Sequence, residues 1–128
     1  MSSKKTSRTV DPSVVVCALG ERPLISNDEA GRLQAVFKVL ANDGRLKLLH
    51  ALERAGELPV TELAETVAMT TQACSNQLQR LVDQGILAAR RDGNHVHYRI
   101  VDPCVTGLLD LALCLTEENR RRTANTSR

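Results

Sequence analysis

Residues 60–101 read VTELAETVAMTTQACSNQLQRLVDQGILAARRDGNHVHYRIV, and the change of hydrophobic period along this stretch decides the fold. Leu63, Ala64 and Val67 share one side of a helix, and after Met69 a cap at Thr70 or Thr71 opens a second helix with the stripe Cys74, Leu78, Leu81 and Val82. Gly85 stands where a helix ends in a left-handed residue. Beyond it the period drops to two. Ile86–Arg91 and His95–Val101 flank Asp92-Gly93-Asn94, with Val96, Tyr98 and Ile100 alternating against His95, His97 and Arg99, as in a β-hairpin. Two helices across a short turn followed by a β-ribbon predict a mainly α chain with a small hairpin wing, a winged helix-turn-helix whose second helix fits the DNA major groove.

Outward from this unit, the chain predicts helices on both sides. Ser26 and Glu29 form a capping box that opens a helix with Leu33, Val36, Phe37 and Leu40 on one stripe. Asn42-Asp43-Gly44 starts another, with Leu46, Leu49 and Leu52 inward and Gly56 at its end. Asp102-Pro103 opens a last helix whose residues 104–115, CVTGLLDLALCL, are apolar nearly all round. A small monomer leaves such a helix wet, so a homodimer is expected, formed by this helix and the one that starts at Ser26, with two recognition helices about 34 Å apart. Residues 1–25 read as a flexible arm containing the apolar island Val14–Leu19, 26–118 as the DNA-binding and dimerisation domain, and 119–128 as a disordered basic tail.

Composition narrows the function. A chain of 128 residues makes one modest domain, and one Phe, one Tyr and no Trp leave no platform for stacking unpaired bases. The net charge of +2 is small, so duplex binding has to rest on placed arginines and helix N-termini. No Cys–His–acid set, Gly-rich phosphate loop or carboxylate pair points to an enzyme. No apolar run is long enough for a membrane span and no signal region follows the early lysines, so a cytoplasmic protein with reduced thiols is expected. For base contact the pattern selects Thr71, Gln72, Ser75, Asn76 and Gln79; for phosphate it selects Arg80, Arg90, Arg91 and Arg99, with Asn94 or His95 at the wing tip.

The order of parts resembles the ArsR/SmtB family of bacterial winged-helix repressors. FKVLANDGRLKLLHAL is similar to the family's entry helices, with Asn42-Asp43-Gly44-Arg45 in place of a "DPTR"-type turn, and TTQACSNQLQRLVDQGILAARRDGNHVHYRIVDP to its recognition helix and wing. The resemblance implies a repressor that releases double-stranded operator DNA, an inverted repeat, when an inducer binds the dimer. Where thiolate-sensing members carry a "CVC" motif, this chain has Pro59-Val60-Thr61.

The cysteines therefore divide. Cys74 falls in line with Leu78 and Leu81 and reads as a small core hydrophobe. Cys104 and Cys114 share the last helix, about 15 Å apart along its axis, too far for one ion within a chain. Across an antiparallel pair Cys104 of one copy faces Cys114 of the other, and the resemblance lets Cys17 of the arm supply a third sulfur. Such thiolates suit Hg(II), As(III), Cd(II) or Pb(II). A thiol-redox or persulfide sensor is the alternative, and a protein-interaction module with core cysteines a third. His95 and His97 point the same way along a strand but are expected near phosphate or water, and His50 is a lone surface residue.

Overall fold

The computed structural model describes residues 18–126, so the expectations for residues 1–17, Cys17 among them, lie outside the described residues. Two units are distinguished, Cys17–Asp102 and a second one whose described part is the last helix. In the first, a 3-10 turn at Leu19–Glu21 precedes α1 (Asn27–Leu40), α2 (Asp43–Ala55), β1 (Glu57–Pro59), α3 (Val60–Thr66), α4 (Thr71–Asp83), β2 (Leu87–Asp92) and β3 (His95–Ile100).

The helix starts follow from side-chain acceptors. Ser26 Oγ accepts from the Glu29 N–H at 3.1 Å while Glu29 accepts from the Ser26 N–H at 2.9 Å, a complete capping box. Asn42 accepts from the Arg45 N–H at 3.0 Å to open α2, and Thr70 from the Ala73 N–H at 3.1 Å to open α4. The ends of α3 and α4 repeat one motif. At α4, Gly85 with φ of 78° donates to Val82 and Ile86 donates to Leu81; at α3, Ala68 with φ of 59° donates to Glu65 and Met69 to Ala64. These are Schellman closures, and only the second puts a Cβ in the left-handed region.

The core of this unit lies where α2, α3 and α4 meet the sheet. Leu48, Leu49, Leu52, Leu63, Cys74, Leu78 and Leu81 are fully buried, joined by Ile86, Leu87 and Tyr98. One expectation fails in α2: Leu46 is exposed and Leu48 is buried. The buried face follows Gly44, Leu48 and Leu52 at four-residue steps with Leu49 beside it, and the three-residue step from Leu49 back to Leu46 leads off that face.

The wing is also larger than a two-stranded hairpin. The sheet has order β1-β3-β2, all antiparallel, with Glu57, Leu58 and Pro59 opposite Arg99, Tyr98 and His97. Three residues ending in proline give almost no period-two signal, and proline is tolerated because β1 is an edge strand. β2 and β3 pair from Leu87↔Ile100 to Asp92↔His95 and close through Gly93-Asn94, with φ of 65° at Gly93.

The second unit's described part is α5, Pro103–Thr126, 24 residues long. It continues well past Glu118, so residues 119–126 are helical where a disordered tail was expected. Side-chain pairing along the helix accounts for part of this: Arg121 forms an ion pair with Glu118 at 2.7 Å, and Arg122 donates a hydrogen bond to Asn119. Among the described residues no helix is long and apolar enough to cross a membrane.

Candidate functional site

The exposed side of α4 begins at the Thr70 cap, where the first N–H groups of a helix point outward and favour anions. Thr71, Gln72, Asn76, Gln79 and Arg80 are all exposed along it, opposite the buried Cys74, Leu78 and Leu81. Two of the amides are aligned by bonds along the helix, Gln72 Nε2 donating to Asn76 Oδ1 at 3.2 Å and Gln79 Nε2 to Asp83 Oδ1 at 2.9 Å. Ser75 differs from its neighbours: it is half-buried and its side chain bonds that of Tyr98 in β3. The hydroxyl expected at a base edge thus ties the helix to the wing. Burial, with the nearby Cys74, holds the Tyr98 phenol above its usual range.

The outer face of the wing carries charge. Register puts Glu57, Arg99 and Ala88 in one row, Pro59, His97 and Arg90 in the next, and His95 with Asp92 in the last. Arg90 is engaged by Glu57 through two bonds, Nη2 to Oε1 at 2.8 Å and Nε to Oε2 at 3.2 Å, and lies 3.9 Å from Asp92. The paired guanidinium holds the Glu57 carboxyl below its usual range. His97 Nε2 stands 4.0 Å from Asp92 Oδ2. Among the described residues Arg80 and Arg91 form no ion pair. Asn94 and His95 are exposed at the tip. The sequence reading found the arginines and missed Glu57, since nothing in its spacing announces a strand beside β3.

Cys74 is fully buried, and burial pushes its thiol up, away from the reactive thiolate. Cys104 and Cys114 are exposed on α5, the first in its opening turn and the second near its middle. Among the described residues no three His, Cys, Asp or Glu side chains of one chain gather as a metal site. Thiolates are soft donors, a chemistry that suits thiophilic ions. His50 is exposed on α2.

Comparison with known proteins agrees with this geometry. The profile of the MarR family matches residues 42–95, from the α2 cap into the wing. The chain is 38% identical to a probable mercury resistance operon repressor of Streptomyces lividans over 102 residues, 80% of this chain and 78% of that one. It is 36% identical to the transcriptional regulator NmtR of Mycobacterium tuberculosis over 93 residues, 73% of this chain and 77% of the relative. Among solved structures, the antimony-specific transcriptional repressor AntR superposes with a TM-score of 0.74 at 57% identity, covering 83% of this chain and 99% of that one. A homodimeric winged helix-turn-helix domain from Mycobacterium bovis, described as a possible ArsR-family regulator, gives a TM-score of 0.67 at 31% identity, over 79% of this chain and 95% of that one. Such relatives are DNA-binding regulators rather than enzymes, and the chain belongs to the ArsR/SmtB family of winged helix-turn-helix, metal-responsive transcriptional repressors.

Proposed function

We propose that this chain binds duplex operator DNA, an inverted repeat, as a symmetric homodimer, and lets go when a soft thiophilic ion binds thiolates of α5. α4 lies in the major groove with Thr71, Gln72, Asn76 and Gln79 toward base edges and Ser75 held at the flank. Arg80, Arg91 and Arg99 take phosphates, and Arg90 joins them by exchanging Glu57 for a phosphate oxygen. The wing tip, Asn94 and His95, reaches the adjacent groove.

The observation that carries the regulatory half is the contrast among the thiols: Cys74 is sealed in the core, whereas Cys104 and Cys114 are exposed on a helix three of whose leucines are also exposed. Leu111, Leu113 and Leu115 are 56%, 53% and 58% exposed, more than an isolated apolar helix sustains in water. A two-fold axis near Leu109 sets Cys104 of one copy against Cys114 of the second, giving two equivalent sites per dimer. Cys17 supplies a third sulfur from the arm. Bound there, an ion cross-links the two helices. The donors fit Hg(II), As(III), Cd(II) and Pb(II), and the likeness to an antimony-specific repressor adds Sb(III) to the same class. Coupling is reciprocal, so operator DNA weakens ion binding as the ion weakens operator binding.

The test titrates Hg(II), As(III), Sb(III) and Cd(II) into the reduced full-length protein, following ultraviolet thiolate-to-metal absorption together with release of a labelled operator duplex. Cys104→Ser and Cys114→Ser are expected to lose both signals, Cys17→Ser to lower affinity for three-coordinate ions, and Cys74→Ser to keep both. Release by Cys104→Ser at the wild-type ion concentration refutes the site. Release that needs an oxidant or polysulfide instead of an ion favours a redox or persulfide sensor using the same thiols.

A further inference from the structure

The recognition helix is fixed at its flank by an arginine that neither the core nor the DNA-facing surface accounts for. Arg45, half-buried in the first turn of α2, donates from Nε to the Val39 carbonyl at 2.6 Å and from Nη1 to the side-chain oxygen of Gln77 in α4. Its own N–H is held by the Asn42 cap at 3.0 Å. Val39 is in the last turn of α1, where the neighbouring carbonyls of Phe37 and Leu40 accept from the Ala41 and Asn42 N–H groups, both at 2.8 Å. One guanidinium thus satisfies an orphan carbonyl of α1 and grips the middle of α4 at the same time.

The apolar side of α4 does not by itself set the rotation of the helix. Cys74, Leu78 and Leu81 are held by non-directional contacts, which a rotation of several degrees hardly changes. Such a rotation matters at the opposite side: about 10° about the helix axis moves a side-chain tip by about 1 Å. A hydrogen bond to a base edge does not survive that displacement, whereas a flexible arginine follows a phosphate easily. Gln77 is next to Asn76 on the helix, and its bond to Arg45 is directional. We infer that Arg45 is a positioning residue for sequence readout, setting the rotation of α4 through Gln77 and referring it to the end of α1. In the homodimer expected from the sequence α1 is an interface helix, and the same strap then carries a displacement of α1 into the reading surface.

This inference rests on α4 being the recognition helix, and the experiment separates the two. Full-length protein is assayed by fluorescence anisotropy at fixed salt on a duplex it has selected from a random library and on an unrelated duplex of equal length. The readout is the ratio of the two affinities, in which a change of net charge cancels. Gln77→Met, of similar size with no strong acceptor, is expected to lower the ratio about tenfold while the thermal midpoint stays within a few degrees of wild type. Gln77→Glu, which keeps the acceptor, is expected to hold the ratio within about twofold. Arg45→Met is expected to lose as much as Gln77→Met, and the double variant no more than either. An unchanged ratio in Gln77→Met overturns the proposal, and so do losses that add in the double variant, since Gln77 then reads a base on its own. Should Arg45→Met fail to fold, the contrast between Gln77→Met and Gln77→Glu decides. Asn76→Ala reports on the helix itself: a normal ratio there means α4 does not read sequence, and the strap falls with it.

Discussion

Ala68 and Gly85 occupy the same position in two copies of one turn, and only Gly85 suits it. A Cβ in the left-handed region costs about 1–2 kcal/mol, against which a glycine at Ala68 gives back about 0.4–1 kcal/mol through the freer unfolded chain. Ala68→Gly is therefore expected to stabilise the protein by about 0.5–1 kcal/mol, read as a higher midpoint in urea with an unchanged slope. A lower midpoint means that the turn between α3 and α4 depends on the alanine methyl. The residue scale is also where sequence reading succeeds and fails most clearly. Cys74 was legible as core because its spacing to Leu78 and Leu81 is that of a buried stripe, and the capping box at Ser26, the helix start at 42–44 and a cap at Thr70 or Thr71 were legible because each needs only its own short neighbourhood. The partner of Ser75 was not legible: whether a hydroxyl at the margin of a stripe meets solvent or Tyr98 depends on where β3 packs, which no local pattern contains.

At the scale of elements, the pairing of β1 with β3 brings Glu57 to Arg90, residues far apart in sequence. The Glu57 carboxyl titrates below its usual range in the folded state, so its contribution is fully present above the ordinary carboxylate range and disappears as pH falls through the lowered value. Glu57→Gln should melt slightly below wild type at neutral pH, with the two curves converging in acid; a difference that persists at low pH means the ion pair is not its source. The same substitution removes the closer of the two carboxylates beside Arg90, so duplex affinity is expected to rise and to fall more steeply with salt. Helices and hairpin were readable from period and turn chemistry. β1 was not, being too short to show a period, and the inward face of α2 was displaced because Leu52 belongs both to the three-residue row of Leu46 and Leu49 and to the four-residue row of Gly44 and Leu48.

At the scale of the molecule, the unpartnered apolar surface is what the isolated chain leaves unresolved. Leu33 and Phe37 on α1 are each 49% exposed, and Leu111, Leu113 and Leu115 on α5 exceed half. Leu113→Glu is expected to give a monomer in sedimentation and to weaken operator binding by about 100-fold or more, through loss of the second half-site contact. A dimer that survives Leu113→Glu places the interface elsewhere than the middle of α5. The family and the winged unit were both legible in the sequence, because they follow from the order and spacing of its parts. The grip of Glu57 on Arg90 and of Arg45 on Gln77 was not, because both join elements that meet only in the fold.

Pro59 is both the last residue of β1 and the cap position of α3, and three residues, 84–86, separate α4 from β2. With the sheet and the helix-turn-helix spliced this closely, and Tyr98 bonded to Ser75 across them, the helix and wing of one copy have little freedom to move against each other. In the proposed symmetric pair, α4 and the wing of each copy then act as one solid jaw of a caliper. An inducer that changes the opening of the jaws leaves each reading surface intact, and operators whose half-sites are spaced to match the induced opening would be held by the induced protein and released by the free one.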